Sequence, residues 1–287
     1  MSDLFDPQLL VNGIAIGSIL ALAAIGLTLT YGILKLSNFA HGDFMTIGAY
    51  TSWLINAIGL NVWLSMLVGA AVTIIAMLIA EYLLWKPMRD RRASDTTLII
   101  ISIGLALFIR NGILLLYGAG NQQYDLPVSP ALEFGVLRIA YNRLVVVGLA
   151  IAAIIALHLI LTKTKMGKAM RAVADNIDLA RVSGIDVDRV VLFTWIITGT
   201  LTAFAGSMYG LITVIRPNMG WFLILPMFAS VILGGIGNVY GAIVGAFIVG
   251  IAQEISVPLL GFEYKIGVAL AITIVVLLIR PQGLFKS

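Results

Sequence analysis

The chain contains no cysteine and few charged residues. Cysteine is absent from all 287 positions, which excludes disulfides, thiolate nucleophiles and cysteine-ligated metal sites. Charged residues make up 11% of the sequence, against about 25% in ordinary soluble domains. The net charge of +4 does not indicate nucleic-acid binding, because the basic residues lie in short segments between apolar runs. A soluble globular domain is therefore not expected.

Long apolar runs fill most of the chain. Hydrophobic residues make up 60% of it, and the mean hydropathy is +1.04. An α-helix needs about 20 apolar residues to cross a hydrocarbon core of about 30 Å. The runs predict an all-α, multi-pass membrane protein with about eight or nine crossings, some broken or re-entrant, in a single transmembrane domain over residues 1–287. The predicted spans are 9–34, 44–59, 62–85, 96–117, 144–162, 190–215, 222–235, 239–257 and 265–279.

Lysine and arginine are concentrated in two segments, residues 86–95 and 163–189, whereas residues 117–142 between them contain one basic residue, Arg138. Short loops rich in lysine and arginine stay in the cytoplasm. We therefore expect both basic segments on the cytoplasmic side, together with residues 280–287. Counting back through three crossings places the N-terminus outside, unless the segment after the first span re-enters the membrane without crossing it.

Small residues recur at helical spacing. In lipid, such faces allow two helix backbones to approach closely. Packing within the chain and packing against another subunit both remain open. The residues are Gly13 and Gly17, Gly206 and Gly210, and Gly237, Gly241 and Gly245.

The basic segment 163–189 contains a pattern typical of a short amphipathic helix. We predict one helix over residues 167–184, beginning near Gly167 and stopping at Gly184, with an ion pair between Arg171 and Asp175 at i, i+4. The helix serves either as an interfacial connector or as a docking element for a soluble partner. Its apolar face holds Met170, Val173, Ile177 and Ala180, and its charged face holds Lys168, Arg171, Asp175 and Asp178.

The stretch LSNFAHGDF, which begins at residue 36, places Asn38, His41, Gly42 and Asp43 between two apolar runs. A helix that restarts here presents a partially positive N-terminus able to meet a carboxylate, and Asn38 or Asp43 can cap it. A competing interpretation places the stretch at the cytoplasmic surface, where Lys35, His41 and Asp43 are hydrated. A broken helix at membrane depth is tolerated only where it lines a cavity, so the first interpretation predicts a translocation pathway or gate.

Two further groups are candidates for the same pathway. Residues 234–238, which include Gly235, Gly237 and Asn238, interrupt the second half of the chain. We predict that they match the first interruption, as in an internal repeat of broken helices. Arg110 and Asn111 lie about seven residues from the outer end of their span, where an arginine either snorkels to the surface or anchors the outer mouth of the pathway.

The remaining ionisable residues within spans are expected near an interface. Glu81 and His158 lie close to cytoplasmic charges, and Glu254 marks the outer end of a helix. An ion-coupled carrier usually has a deeply placed carboxylate, whereas Asp43, Glu81 and Glu254 are all expected near interfaces. Two distant histidines, His41 and His158, make a metal site improbable.

Motifs for enzyme chemistry are incomplete. The pair Gly167-Lys168 is followed by Ala169, where a phosphate loop needs serine or threonine. Tyr240 occupies the place of the third glycine in a dinucleotide fingerprint, and Asp43 lacks the second carboxylate of an aspartyl protease. Ser18 and Ser207 do not lie in a Gly-x-Ser-x-Gly elbow. We therefore expect no catalytic residue and no cofactor.

Four stretches carry a family resemblance. YGILKLSNFAHGDFMTIGAY, GKAMRAVADNIDLARVSGIDVDRVVLFTWIITGTLTAFAGSMYG, SVILGGIGNVYGAIVGAFIVG and RPQGLF occur in this order. Together they resemble the branched-chain amino acid permease subunits of ABC importers, and the length is similar to that of the shorter of the two homologous permeases in that family. A close branch of the family transports urea.

The resemblance implies a bacterial inner-membrane protein that works with a homologous permease, two cytoplasmic ATPase subunits that bind ATP, and an external solute-binding protein. It implies that residues 167–184 are the coupling helix seated in an ATPase, and it favours a pathway or gate at LSNFAHGDF. The expected substrates are neutral, mainly hydrophobic amino acids. Urea or another small amide is the alternative substrate, and an ion-coupled secondary transporter is the alternative class.

Overall fold

The computed structural model describes residues 6–126, 131–134 and 137–285. These residues are mostly helical, and six of the helices that they form are long and apolar enough to cross a membrane. The helices are α1 (Pro7–Leu34), α2 (His41–Ala57), α3 (Val62–Ala80), α4 (Lys86–Asp90), α5 (Asp95–Tyr117), α6 (Tyr141–Lys163), α7 (Lys165–Asp175), α8 (Ile177–Val182), α9 (Val187–Ile212), α10 (Met219–Gly234), α11 (Val239–Ile255), α12 (Val257–Leu260) and α13 (Lys265–Ile279).

Shorter elements connect some of these helices. A π-helical turn, Glu81–Trp85, joins α3 to α4, and a 3-10 turn, Phe262–Tyr264, precedes α13. The strands β1 (Ala131–Phe134) and β2 (Leu137–Ala140) pair antiparallel between α5 and α6. The membrane helices therefore carry the fold, and the sheet is a local feature of one connection.

Side-chain caps in the sequence fix where several helices begin. Asp6 accepts a hydrogen bond from the amide of Gln8 at the start of α1, and Ser94 accepts one from Thr97 at the start of α5. Asn238 does the same for Gly241 at the start of α11. Each cap satisfies a backbone donor that the first helical turn leaves free.

The bundle has two ends. We call the end with β1 and β2 the hairpin end, and α1 begins there, because the amide of Arg138 donates to the side-chain oxygen of Gln8. We call the opposite end the α7 end. Basic segments 86–95 and 163–189 both lie at the α7 end, where Lys86 pairs with Asp188. The C-terminal residues lie there too, since the amide of Leu284 donates to the carbonyl of Leu233.

Two halves of the chain have the same architecture in opposite directions. The first half contains α1, α2, α3 and α5, and the second contains α9, α10, α11 and α13. Helix α1 packs along α11, and its counterpart α9 packs along α3. Likewise α2 packs on α3 as α10 packs on α11. This is an inverted repeat, and α6 with α7 and α8 connects its halves.

The expected fold class is confirmed. The predicted span 265–279 coincides with α13, and the glycine-rich reversal separates α10 from α11 as expected. Helices α10 and α11 are shorter than the six full-length spans, and α2 has 17 residues. For α2 and α10, the segments that precede them, residues 35–40 and 213–218, cover part of the membrane depth without forming an α-helix.

The predicted small-residue faces pack within the chain. Gly13 lies against the backbone of Ile251, and Gly17 lies against Phe247, both in α11. Gly206 lies against the backbone of Met45 and Gly245 against that of Ser230. These contacts assign Gly13, Gly17, Gly206 and Gly245 to packing within the chain, whereas Gly237 is exposed and has no neighbour within 4 Å of its Cβ position.

Candidate functional site

Helix α2 begins deep inside the bundle. The Nε2 atom of His41 lies 2.9 Å from the carbonyl oxygen of Ala23 and 3.2 Å from the hydroxyl of Thr202. Ala23 is near the middle of α1, about 17 Å along the axis from its α7 end. Residues 35–40 therefore re-enter from the α7 end to mid-depth, and α2 continues to the hairpin end.

Helix α10 begins at the same depth from the other side. Residues 213–218 return from the hairpin end, where the backbones of Gln122 and Ile215 form a bridge. The amide of Gly220 then donates to the hydroxyl of Thr46 in α2. A Cβ atom on Gly42 would lie 2.2 Å from the carbonyl oxygen of Gly220, so the two helix starts touch through their backbones.

Each re-entrant segment ends in a turn with the same backbone hydrogen bond, from an amide to the carbonyl three residues earlier. The amide of His41 donates to the carbonyl of Asn38, and the amide of Met219 donates to the carbonyl of Arg216. The side chain of Asn38 is fully buried and accepts a hydrogen bond from the amide of Ala40. Asn38 therefore holds the turn before α2, and the structure shows no side-chain cap at the cap position, Ala40.

An ion pair lies beside the two helix starts. The Nε atom of Arg110, in α5, donates to Oδ1 of Asp43 over 3.4 Å, and the guanidinium lies 4.4 Å from the ring centre of Trp221. Asp43 is 1% exposed and His41 is fully buried, whereas Lys35 is exposed. The hydrated interpretation is therefore wrong for Asp43 and His41, and so is the expectation that Asp43 lies near an interface.

Arg110 turns inward rather than toward the membrane surface. Its side chain is 18% exposed and is directed at Asp43, so the snorkelling interpretation is wrong. The neighbouring Asn111 is exposed and donates to the carbonyl of Leu107 in its own helix. Helix α5 is also attached to the first re-entrant segment, because the hydroxyl of Ser102 accepts from the amide of Phe39. Arg110 therefore belongs to the site, and Asn111 lies on the adjacent surface.

Residues 234–238 are at the α7 end, away from the helix starts. Gly235 and Gly237 have φ angles of +106° and +90°, which glycine adopts without strain. The amide of Gly237 donates to the hydroxyl of Thr28, and Asn238 caps α11. The predicted match between this reversal and LSNFAHGDF is wrong, because the counterpart of residues 35–40 is 213–218.

The predicted coupling helix is two helices. Asn176 ends α7 and caps α8 by accepting from the amides of Asp178 and Leu179, because its side chain competes with the helical backbone. Gly184, with φ of +84°, follows α8 as expected.

Individual residues of this segment differ in exposure and role. Arg171 donates to the carbonyl of Leu161, so the predicted ion pair with Asp175 is not formed. A Cβ atom on Gly167 would lie 2.3 Å from that same carbonyl, which explains a glycine there. Lys168, Asp175 and Asp178 are exposed.

Glu81 is buried at the α7 end, close to the basic segment that follows it. Its carboxylate accepts hydrogen bonds from Arg89 and, over 2.9 Å, from Nε1 of Trp195 in α9. His158 is exposed and lies 2.7 Å from the hydroxyl of Tyr240. Glu254 pairs with Lys265 at the hairpin end of α11. In the residues that the structure describes, no group of three or more His, Asp or Glu side chains is arranged to hold a metal.

Sequence reasoning missed Trp221, Gly220 and the second re-entrant segment. A signal was present, because the first turns of the two half-helices read Gly-Asp-Phe at 42–44 and Gly-Trp-Phe at 220–222. The segment before the second, with Arg216 and Pro217, has the composition of an ordinary external loop. The repeat becomes visible only when the two glycines are seen to touch.

Membrane-length helices that surround two half-helices meeting at mid-depth define a transport protein. The family described as "Branched-chain amino acid transport system / permease component" matches residues 9–277, and the chain belongs to this family. It is a permease component and not an enzyme.

Named relatives agree over nearly the whole chain. The chain is 34% identical to the high-affinity branched-chain amino acid transport system permease protein LivH of Escherichia coli K12, covering 98% of this chain and 96% of the relative. It is 31% identical to BraD, the protein of the same description from Pseudomonas aeruginosa, over 96% and 94% of the two chains. A probable LivH of Methanocaldococcus jannaschii is 33% identical over 99% and 94%.

Proposed function

We propose that this chain is a transmembrane subunit of an ABC importer in a bacterial inner membrane, and that it carries neutral, mainly hydrophobic amino acids inward. The meeting of α2 and α10 at Gly42 and Gly220 is the observation that carries the proposal. Broken helices at membrane depth occur where a solute passes, and their N-terminal ends favour anionic groups. The names of the relatives support amino acids over urea as the substrate.

The α7 end is cytoplasmic in this proposal. Supporting it, the basic segments 86–95 and 163–189 lie together at that end, and basic loops remain in the cytoplasm. The hairpin end then faces the external solute-binding protein. Residues Asn38, His41, Gly42, Asp43, Arg110 and Asn111 border the pathway, with Gly235, Gly237 and Asn238 near its cytoplasmic mouth.

Helices α7 and α8 are the contact for the ATPase subunits. Gly167 and Arg171 fasten α7 to the end of α6, and Gly184 leads directly into α9. A force applied to the exposed face of Lys168, Asp175 and Asp178 is therefore passed to the two membrane helices that flank this segment, α6 and α9. ATP bound by the partner subunits then biases the equilibrium between inward-open and outward-open states. A homologous permease completes the pair of transmembrane subunits.

A charge reversal tests this function. The double variant Asp175→Lys and Asp178→Lys should insert and assemble normally, but ATP-dependent leucine uptake by the whole complex should fall to background. Asp95→Lys is the matched control, because Asp95 is exposed at the same end but begins α5. Uptake is measured in proteoliposomes that contain the partner permease, the ATPases and the binding protein.

Two outcomes would contradict the proposal. Normal uptake by the double variant would remove α7 and α8 from the coupling contact. Leucine accumulation by this chain alone, without nucleotide, would show an ion-coupled carrier instead. That second outcome has physical interest because Asp43 is a buried carboxylate within the membrane bundle.

A further inference from the structure

The ion pair between Arg110 and Asp43 leaves hydrogen-bonding capacity unused. Each side chain makes one contact with the other, Nε to Oδ1 at 3.4 Å. Among the described residues, Oδ2 of Asp43 and one terminal nitrogen of Arg110 are buried without a hydrogen-bond partner. Buried charged groups normally have all their polar atoms paired, because an unpaired one is costly. The pair therefore has one free acceptor and one free donor.

The surrounding helix ends add positive charge. The N-terminus of α2 and the N-terminus of α10 meet beside Asp43, and each helix start carries about half a positive charge. The ion pair itself is neutral, so the two helix ends leave an excess of about one positive charge at this point. Such a place attracts an additional carboxylate.

Aromatic rings flank the ion pair on both sides. Toward the hairpin end, Tyr50 lies two helical turns beyond Asp43 in α2 and packs against Tyr117 at 5.3 Å between ring centres. Toward the α7 end, Phe228 lies two turns beyond Trp221 in α10 and packs against Phe39 at 4.7 Å. Trp221 itself is 39% exposed beside the charged groups. A solute at the ion pair thus meets apolar surface as well as charge.

We propose that Asp43 and Arg110 form a gate that binds the zwitterionic form of an amino acid. This inference rests on the proposed function. The carboxylate of an α-amino acid replaces Asp43 on Arg110 and lies against the two helix N-termini. Its ammonium group binds the carboxylate of Asp43, and its apolar side chain packs on Trp221. One ion pair becomes two, so no buried charge is left uncompensated while the solute passes. An uncharged solute such as urea can form hydrogen bonds with these groups, but it forms neither ion pair.

Neutralising Asp43 and Arg110 tests whether the ion pair binds the solute or only stabilises the fold. Asp43→Asn and Arg110→Gln, made singly, each leave a buried charge without its partner, so both stability and uptake should fall. The double variant removes both charges and keeps an amide pair, so its thermal stability should return to near that of the wild type. Its leucine uptake should stay reduced at least about tenfold, because the contacts to carboxylate and ammonium are gone.

The measurements use the whole complex in proteoliposomes, with thermal unfolding recorded on the same preparations. Leu115→Ala is the control in the same helix as Arg110, and its uptake should not change, because the Leu115 side chain is 85% exposed and takes no part in the ion pair. Full recovery of uptake by the double variant would show that the pair is structural and overturn the inference alone. A wild-type complex that takes up no leucine would overturn the proposed function, and the inference with it.

Discussion

Glycine is required at residues 42 and 220 because two backbones occupy the same space. A Cβ atom on Gly42 would lie 2.2 Å from the carbonyl oxygen of Gly220, and one on Gly220 would lie 2.0 Å from that of Gly42. Neither residue has a positive φ angle, so the requirement is for space rather than for backbone freedom. The contact fixes how closely the two half-helices approach and therefore how Asp43 is presented to Arg110.

Substitution of either glycine should separate the half-helices. We expect Gly42→Ala to destabilise the protein by about 1–3 kcal/mol, because backbone must move to admit the methyl group. The control is Gly104→Ala in α5, where a Cβ atom would meet nothing within 4 Å. That change should be neutral or mildly stabilising, since alanine is the better helix former. Thermal unfolding in detergent measures both, and equal midpoints would contradict the close contact.

Helices α3 and α9 are locked together where α3 passes into its π-helical turn. Glu81 opens this turn, and its carboxylate receives hydrogen bonds from Arg89 and from Trp195 of α9. An exposed ion pair between Lys86, which begins α4, and Asp188 of α9 lies nearer the surface. Because Asp188 lies in the first turn of α9, the next helix after α8, we expect a displacement of α8 to act on α9 and on the helix that ends in α4.

The buried contact should matter far more than the exposed one. Glu81→Ala leaves the indole N–H of Trp195 and the guanidinium of Arg89 without their acceptor, and we expect a loss of about 1–3 kcal/mol in unfolding free energy. Asp188→Ala removes only the exposed pair, and the unfolding free energy should stay close to that of the wild type. Chemical denaturation of the two variants compares them. A larger loss for Asp188→Ala would show that the surface pair holds the helices.

Element boundaries followed from the sequence where charge and hydropathy change together. Helix α13 begins at Lys265 and ends before Arg280, so its predicted span coincided with the observed one. The depth of residues 35–40 and 213–218 in the membrane could not be predicted in this way. It is decided by long-range contacts such as His41 with Ala23, which no local pattern encodes. The break at Asn176 was also missed, because the apolar periodicity continues across it.

The residues of the candidate site could be predicted in part, but the contacts between them could not. Asp43 and Arg110 stood out as charges within apolar runs, but their pairing depends on how α5 packs against α2. The only signal for Trp221 was the likeness of Gly-Trp-Phe at 220–222 to Gly-Asp-Phe at 42–44, which is too short to stand out among the glycines and aromatic residues of an apolar chain. Arg171 was predicted to pair with Asp175, but the nearby carbonyl of Leu161 is a closer acceptor.

At the scale of the whole molecule, the basic segments and the C-terminal residues share one end, and the β-hairpin lies at the other. The chain can therefore be oriented in the membrane in two ways, with the α7 end either inside or outside the cell. The absence of cysteine makes the orientation simple to test. Asn121 is exposed near the hairpin, and Ser183 is exposed after α8. A single cysteine at either place has no competing thiol in the chain.

Intact cells should distinguish the two positions. We expect Asn121→Cys to react with a membrane-impermeant maleimide from outside, and Ser183→Cys to react only after the membrane is opened, because basic loops stay in the cytoplasm. The unmodified chain, which lacks thiols, is the blank. Labelling of Ser183→Cys alone in intact cells would reverse the orientation and place α7 and α8 outside, beyond the reach of any ATPase.

Helix α6 has no counterpart in either half, and it determines how the two halves are oriented relative to each other. Each half contributes four membrane segments, an even number, so each half returns the chain to the side from which it started. Joined directly, the two halves would point the same way and could not form an inverted pair. The single additional pass of α6 changes the parity, so it is the element that turns the second half upside down.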